Sequence, residues 1–306
     1  MSKGSKPALG FDDCLFVSVD VDSFDRYLSI YGVADPTLRE ELVERTWTLG
    51  VERFRALFDE LAIPAVFFTV GEDLANATAG QVARSLASGG HAMGNHTQTH
   101  RYDFIRLPES QARVEVEACQ ESIAGAVGTR PLVFRAPGYN MTASTYALLE
   151  QADIPFDSSP LPSYPYLGLK YAVMASLVAR GRKSSSIWGN PAHFLGSRKP
   201  KLRGNVTVLP CATTPWLRVP VIGTFMSVLP SAVVDAMASA LEGPGFVALE
   251  FHAIDLVNWQ EDGLPEALKA SRDTNIPVSI KRDRYKRFLE RMLRNHRPWV
   301  PHPPEA

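Results

Sequence analysis

The 306-residue sequence predicts an α/β protein built from parallel strand–helix–strand units, and three observations carry that expectation. Over residues 1–160, short apolar runs rich in β-branched residues alternate with longer stretches of helical periodicity, the pattern of βαβ units. The chain is 45% hydrophobic, enough apolar material for a sizeable core. Its length fits a single α/β barrel. One domain over residues 1–306 is therefore expected, with a core at 12–295 and an inserted segment near 160–230.

Residues 14–22 read as a strand in which Leu15, Val17, Val19 and Val21 alternate. Asp35-Pro36-Thr37 marks a helix start with Pro36 in the first turn. Leu38, Leu42, Val43, Leu49, Phe54, Leu57, Phe58 and Leu61 then recur at helical spacing until Pro64. Residues 65–70 (AVFFTV) form a short buried strand closed by Gly71, and a polar helix at 78–88 stops at Gly89-Gly90. Residues 91–100 are a strand and loop, 108–127 a helix, 131–136 (PLVFRA) a strand, and 142–152 a short helix before FDSS at 156–159. The stretch 160–230 breaks this rhythm with Pro, Gly and Ser, and holds one apolar helical run at 166–180 followed by GRKSSS. The pattern resumes with a helix near 231–241, a strand at 246–252 (FVALEFH) and a charged helix at 281–295. The tail PHPPEA is expected to be disordered.

A net charge of −1, with 32 basic and 33 acidic residues, leaves no electrostatic footprint for nucleic acid. Cys14, Cys119 and Cys211 stand far apart and outside any CxxC spacing. They indicate neither a disulfide framework nor a thiolate metal site, and read as ordinary buried thiols. The first residues, MSKGSKPALGFDD, lack the apolar stretch of a signal peptide. No window approaches the roughly 18 apolar residues of a membrane span. A cytoplasmic protein is the default expectation.

Three local signals carry chemistry. Asp20-Val21-Asp22 ends an apolar strand, and a side-chain period of two places both carboxylates on one side. Such a pair is costly unless something positive compensates it, the alternative being a solvated strand end with capping aspartates. His96 and His100 form an HxxxH pair, and three of the chain's seven histidines fall within ten residues there. A surface pair is one explanation; convergence on a metal ion is the other. Two His plus one carboxylate leave coordination positions open, as catalytic sites do. Third, His252 ends the strand FVALEFH, either as a satisfied core histidine or facing an active site at the C-terminal ends of parallel strands.

SVDVDS at 18–23, GHAMGNHTQTH at 90–100, FRAPGY at 134–139 and EFHAID at 250–255 together make a resemblance plain. The chain resembles the polysaccharide deacetylase family (carbohydrate esterase family four, the rhizobial chitooligosaccharide deacetylase homology domain), in a DxD-motif cytoplasmic branch. The resemblance implies a distorted (β/α) barrel of about seven strands and a metal-dependent hydrolase that removes an N-acyl group. By the family pattern Asp22, His96 and His100 would hold a divalent ion, Zn²⁺ first, with Co²⁺, Ni²⁺ or Fe²⁺ also suited to the donors. Asp20 would be the catalytic base, acting on a water that the ion acidifies. The family more often has adjacent aspartates there, and the intervening valine matches its DxD variant. Arg135 would hydrogen-bond Asp20 and keep it ionised. Pro137 and Tyr139 would stand on the substrate side, the Tyr139 N–H joining the metal around the oxyanion. His252 would be the general acid that protonates the leaving amine. One departure concerns the acidic residue that orients this histidine in many relatives. The corresponding stretch, GTFMSVLP at 223–230, has none, and Asp255 is the alternative partner.

The run at 166–180 is apolar on most faces and leads into Arg180, Arg182 and Lys183, so it is either a core helix or a membrane-surface element. The second option suits a lipid-linked glycan at the inner leaflet, and deacylases of undecaprenyl-linked aminosugars, a deformylase branch among them, resemble this chain in the DVD motif. Tyr164, Tyr166, Trp188 and Trp216 could instead line a sugar groove. Three functions follow: removal of an acetyl or formyl group from an aminosugar or glycan, hydrolysis of a small non-sugar amide such as a ureide, or carbohydrate binding by a scaffold with a relic metal site. Retention of base, ligands and acid argues against the last.

Overall fold

β1 (Cys14–Val21) is buried at every residue, and its alternation sorts two layers. Leu15, Val17, Val19 and Val21 pack into the larger core beneath the helices, whereas Phe16 joins Val66, Phe68, Val133 and Ala248 on the other face. Ser18 and Asp20 share that inner face with Phe16 by the strand period. The computed structural model describes residues 10–179, 181 and 194–302.

β2 (Val66–Thr69), β3 (Ala92–Asn95), β4 (Val133–Phe134) and β5 (Phe156–Asp157) extend the sheet on one side of β1, and β8 (Val247–His252) lies on the other, all parallel. β7 (Val206–Val208) adds in parallel to β5, and β6 (Lys201–Arg203) pairs antiparallel with β7. β9 (Arg297–Pro298) pairs with the start of β1. The result is a curled β/α half-barrel, as the sequence led one to expect.

The long helical run begins where expected: the Asp35 side chain accepts from the Thr37 N–H at 3.0 Å before a short Pro36–Leu38 turn. It continues as α2 (Arg39–Arg45), a π turn at Thr46–Val51, and α3 (Glu52–Glu60). α4 (Ala77–Ser88), α5 (Glu109–Val127) and α6 (Ala143–Gln151) follow the expected positions. So do α9 (Ser231–Ser239) and the terminal α10 (Val278–Met292), the latter shifted by three residues. α1 (Phe24–Ile30) was not expected; one turn-pair of apolar residues, Phe24 and Leu28, is too short to show periodicity.

The stretch 160–230 contributes more than an appendage. Besides α7 (Tyr164–Ala179) and α8 (Gly223–Val228), it supplies β7 and a crossing segment. Leu209 N–H donates to Asp157 O and Ala212 N–H to Ala248 O, both at 2.7 Å, while Ile222 bridges Glu250. These residues span the gap between β5 and β8 and so wall in the barrel interior. Tail residues 303–306 lie outside the described residues.

Candidate active site

The C-terminal end of β1 delivers both aspartates. Just beyond it, the Phe24 N–H donates to Thr46 Oγ at 2.9 Å, and the Thr46 hydroxyl donates to Leu42 O at 2.7 Å. The π turn thereby holds the chain as it leaves Asp22.

His96 and His100 sit on a loop after β3, not on a helix. Thr97 and His100 adopt positive φ, 66° and 54°. Such strain persists only where the surroundings over-determine it, and here they do. Thr97 N–H donates to Asn95 Oδ1 at 3.0 Å, His100 N–H to Thr97 Oγ at 3.1 Å, and Thr99 donates to Glu115 on α5 through its N–H (2.9 Å) and hydroxyl (2.6 Å). His96 Nδ1 lies 2.7 Å from Arg135 O, a contact that turns Nε2 toward Asp22 and leaves its lone pair free for a metal.

Asp22 Oδ1 is 3.2 Å from His96 Nε2 and 3.0 Å from His100 Nε2, with all three side chains buried. That oxygen has no hydrogen-bond partner among the described residues. Three acceptor atoms facing one point, with an unsatisfied buried oxygen among them, fit a bound cation. Burial disfavours the Asp22 carboxylate, but His100 and His96 outweigh it and hold the group well below the usual range. Burial also holds His100 below its ordinary value, favouring the neutral form that ligates.

Arg135 is fully buried and organises the base. Its guanidinium donates to Asp20 Oδ1, to Ser18 Oγ and Ser158 Oγ (3.0 Å each) and to Ser158 O (2.9 Å), and lies 4.1 Å from the Phe68 ring centroid. Asp20 Oδ2, turned the other way, is 3.7 Å from His96 Nε2.

His252 stands across the interior at the end of β8. Asp255 Oδ2 accepts its backbone N–H at 2.8 Å and lies 3.8 Å from Nδ1, an ion-pair distance rather than a hydrogen bond. Asp255 Oδ1 accepts the Thr224 hydroxyl at 2.9 Å. A Cβ on Gly223 would come 2.1 Å from Asp255 Oδ2, so the glycine in the stretch without an acid makes room for the acid from β8. Burial opposes the imidazolium, yet Asp255, Glu250 and Asp20 together lift His252 to about 10.

Glu250 was not anticipated from the sequence. It is fully buried, accepts the Tyr139 hydroxyl, receives the Cys211 thiol at 3.2 Å, and lies 3.6 Å from His252 Nε2. Burial pushes its carboxyl up. The available signal was an acid inside an otherwise apolar strand, FVALEFH. Tyr139 also departs from expectation: its N–H, anticipated at the oxyanion, donates to Ala136 O at 3.1 Å within a turn where Gly138 and Tyr139 both have positive φ. Pro137 is buried in that turn and does not line the cavity.

A family comparison now has a geometry to meet. Residues 44–156 match the model of the polysaccharide deacetylase family. A structure from Mycobacterium smegmatis, provisionally named a polysaccharide deacetylase, is 18% identical with a TM-score of 0.52, covering 99% of this chain and 97% of that one. A Puue allantoinase structure is 15% identical with a TM-score of 0.56, covering 96% and 90%. At these identities the shared property is the fold. No curated protein matches the chain in sequence.

Asp20, Asp22, His96, His100, Gly138, Tyr139 and His252 line one cavity of about 270 Å³. α7 roofs it through Tyr166, Leu169, Lys170, Val173 and Met174, so the apolar run is neither a core helix nor separate from the site. Leu169 and Val173 remain 51% and 42% exposed beside the mouth. Tyr166 packs edge-on against Tyr139 with ring centroids 5.4 Å apart. Tyr164 and Trp216 do not line the cavity, and Trp216 is 94% exposed. Trp188, Arg180, Arg182 and Lys183 lie outside the described residues. Among the described residues, no helix is long and apolar enough to cross a membrane.

Proposed function

We propose that the chain is a divalent-metal-dependent N-deacylase that removes an acetyl or formyl group from an aminosugar or glycan. The observation that carries this reading is the buried convergence of Asp22, His96 and His100, with Asp20 and His252 facing the same cavity. The three ligands would hold Zn²⁺, or Co²⁺, Ni²⁺ or Fe²⁺. When bound, the ion supplies a Lewis acid that polarises the amide carbonyl and acidifies water. Asp20, oriented by Arg135, takes the proton of the attacking water. His252 gives its proton to the departing nitrogen, and its lifted affinity for that proton keeps it charged at neutral pH. Asp255 holds the imidazole from behind. The Tyr139 N–H can serve the oxyanion by sharing its bond to Ala136 O or by leaving it.

The roof formed by α7 favours a terminal N-acyl sugar over a polymer threaded through the site. The exposed apolar side chains Tyr164, Leu169 and Val173 on that helix support peripheral contact with a membrane and a lipid-linked substrate. The same roofed, largely apolar cavity also accommodates a small amide such as a ureide, which is the second reading. Release of acetate or formate from a panel of N-acetyl and N-formyl aminosugars, with allantoin in parallel, tests both. Turnover of allantoin alone would replace the sugar reading with the second.

A further inference from the structure

Lys170 is the one lysine or arginine among the described residues that line the cavity. No carboxylate lies within ion-pairing distance of its ammonium among the described residues. Near it lie the Phe194 ring, with the centroid 5.9 Å away, and Gly138, where an added Cβ would lie 3.8 Å from Nζ. The ammonium therefore sits over the Pro137–Tyr139 turn, on the rim of the catalytic centre. The acids in the same wall are engaged elsewhere: Asp22 with the two histidines, Asp20 with Arg135, and Asp273 with the Ser271 hydroxyl. Around the lysine the lining is apolar, from Leu169, Val173, Met174, Ile222 and Phe225.

We infer that Lys170 is a specificity residue that binds an anionic oxygen group of the substrate, so that the N-acyl sugar carries a phosphate ester or a carboxylate. This rests on the N-deacylase reading for the rest of the site. A half-buried ammonium without a counter-ion bears a desolvation cost that an arriving anion removes. Consistent with that cost, burial lowers the group to about 8. Lysine meets phosphate as a point charge and reaches it on a flexible stem, which suits a residue midway along a roof helix. The apolar residues beside it would face whatever is attached beyond the anionic group.

The test uses the full chain loaded with Zn²⁺ and four probes: N-acetylglucosamine, its 1-phosphate, a farnesyl phosphodiester of the same sugar, and N-acetylmuramic acid. Binding by calorimetry and acyl release are measured for wild type, Lys170→Met and Lys170→Arg. Wild type is expected to bind at least one anionic probe better than the neutral sugar. Lys170→Met should then lose about 10- to 100-fold in affinity and kcat/KM for that probe, chiefly through KM, with the neutral sugar unaffected. Lys170→Arg should restore most of the loss. A preference for the farnesyl diester over the 1-phosphate assigns the anion to a lipid headgroup, the reverse to a free sugar phosphate. Equal binding of all four by wild type, or an equal loss on charged and neutral probes in Lys170→Met, overturns the proposal. If no probe releases acetate while Lys170→Met still loses binding of the anionic one, the N-deacylase reading fails and the anion site stands.

Discussion

Replacing Arg135 with methionine should test the buried base more severely than any change to the base itself. The substitution keeps an apolar stem against Phe68 but deletes a guanidinium that donates to Asp20, Ser18 Oγ, Ser158 O and Ser158 Oγ. The donor is charged, and hydrogen bonds to charged groups contribute about 1.5–3 kcal/mol each. The loss hardest to relieve is at Asp20, which is 3% exposed and would have no cation beside it. Removing one partner of a buried ion pair typically costs about 3–5 kcal/mol. With roughly 2–4 °C per kcal/mol for domains of somewhat smaller size, Tm should fall by about 6–20 °C. The comparison is made by urea unfolding of chelator-treated protein, with equal m-values as the check that the same fold is being unfolded. The loss should shrink when divalent metal is restored, because an ion on Asp22, His96 and His100 would sit near the free Asp20 Oδ2. Arg135→Lys should fall between, since it keeps charge without the planar fork. Metal-free Arg135→Met within about 1 kcal/mol of wild type would refute the reasoning.

His252→Ala should retain its metal while losing about 10²–10⁴-fold in kcat, the usual range for a general acid, as read by metal analysis beside acyl release. Because the His252 value is lifted in the folded chain from 6.5 to about 10, stability from its charge is fully present below 6.5. That stability and the protonated acid are both lost as pH rises toward about 10. Asp255→Asn should move the alkaline limb of the kcat–pH profile to lower pH, as should a nearby bound cation; an unmoved limb would show that Asp255 does not hold the imidazolium. Gly223→Ala places a methyl 2.1 Å from the Asp255 carboxylate and should reproduce part of that shift with little change in metal content, checked by the same profile.

Much of this site is legible in the sequence because it rests on local rules. The period-two alternation of β1 puts Asp20 on the inner face, and a strand end rich in acids is costly without partners; that Arg135 and the histidines are those partners was implied by the family resemblance. The spacing of His96 and His100 did not say whether they lay on a helix or a loop; that depended on Glu115, Asn95 and positive φ angles, which are tertiary facts. Glu250 stayed hidden because one acid in an apolar strand carries no periodicity, and its partners Tyr139 and Cys211 lie 111 and 39 residues away. The apolar run of α7 read as core or membrane surface, since composition cannot distinguish a core face from the roof of a cavity. The bond from the Tyr139 N–H to Ala136 O was likewise hidden, because it depends on the local turn.

The central claim is that Asp22, His96 and His100 hold a divalent ion which amide hydrolysis requires. Its most direct test measures bound metal and acyl release in parallel for wild type and Asp22→Ala, after chelation and after titration with Zn²⁺. The account predicts about one ion bound per wild-type chain, as for a mononuclear three-ligand site, and release that appears with it. Asp22→Ala should show neither at the same Zn²⁺ concentration while unfolding as cooperatively as wild type. Undiminished acyl release from metal-free wild type, or from Asp22→Ala, would contradict it.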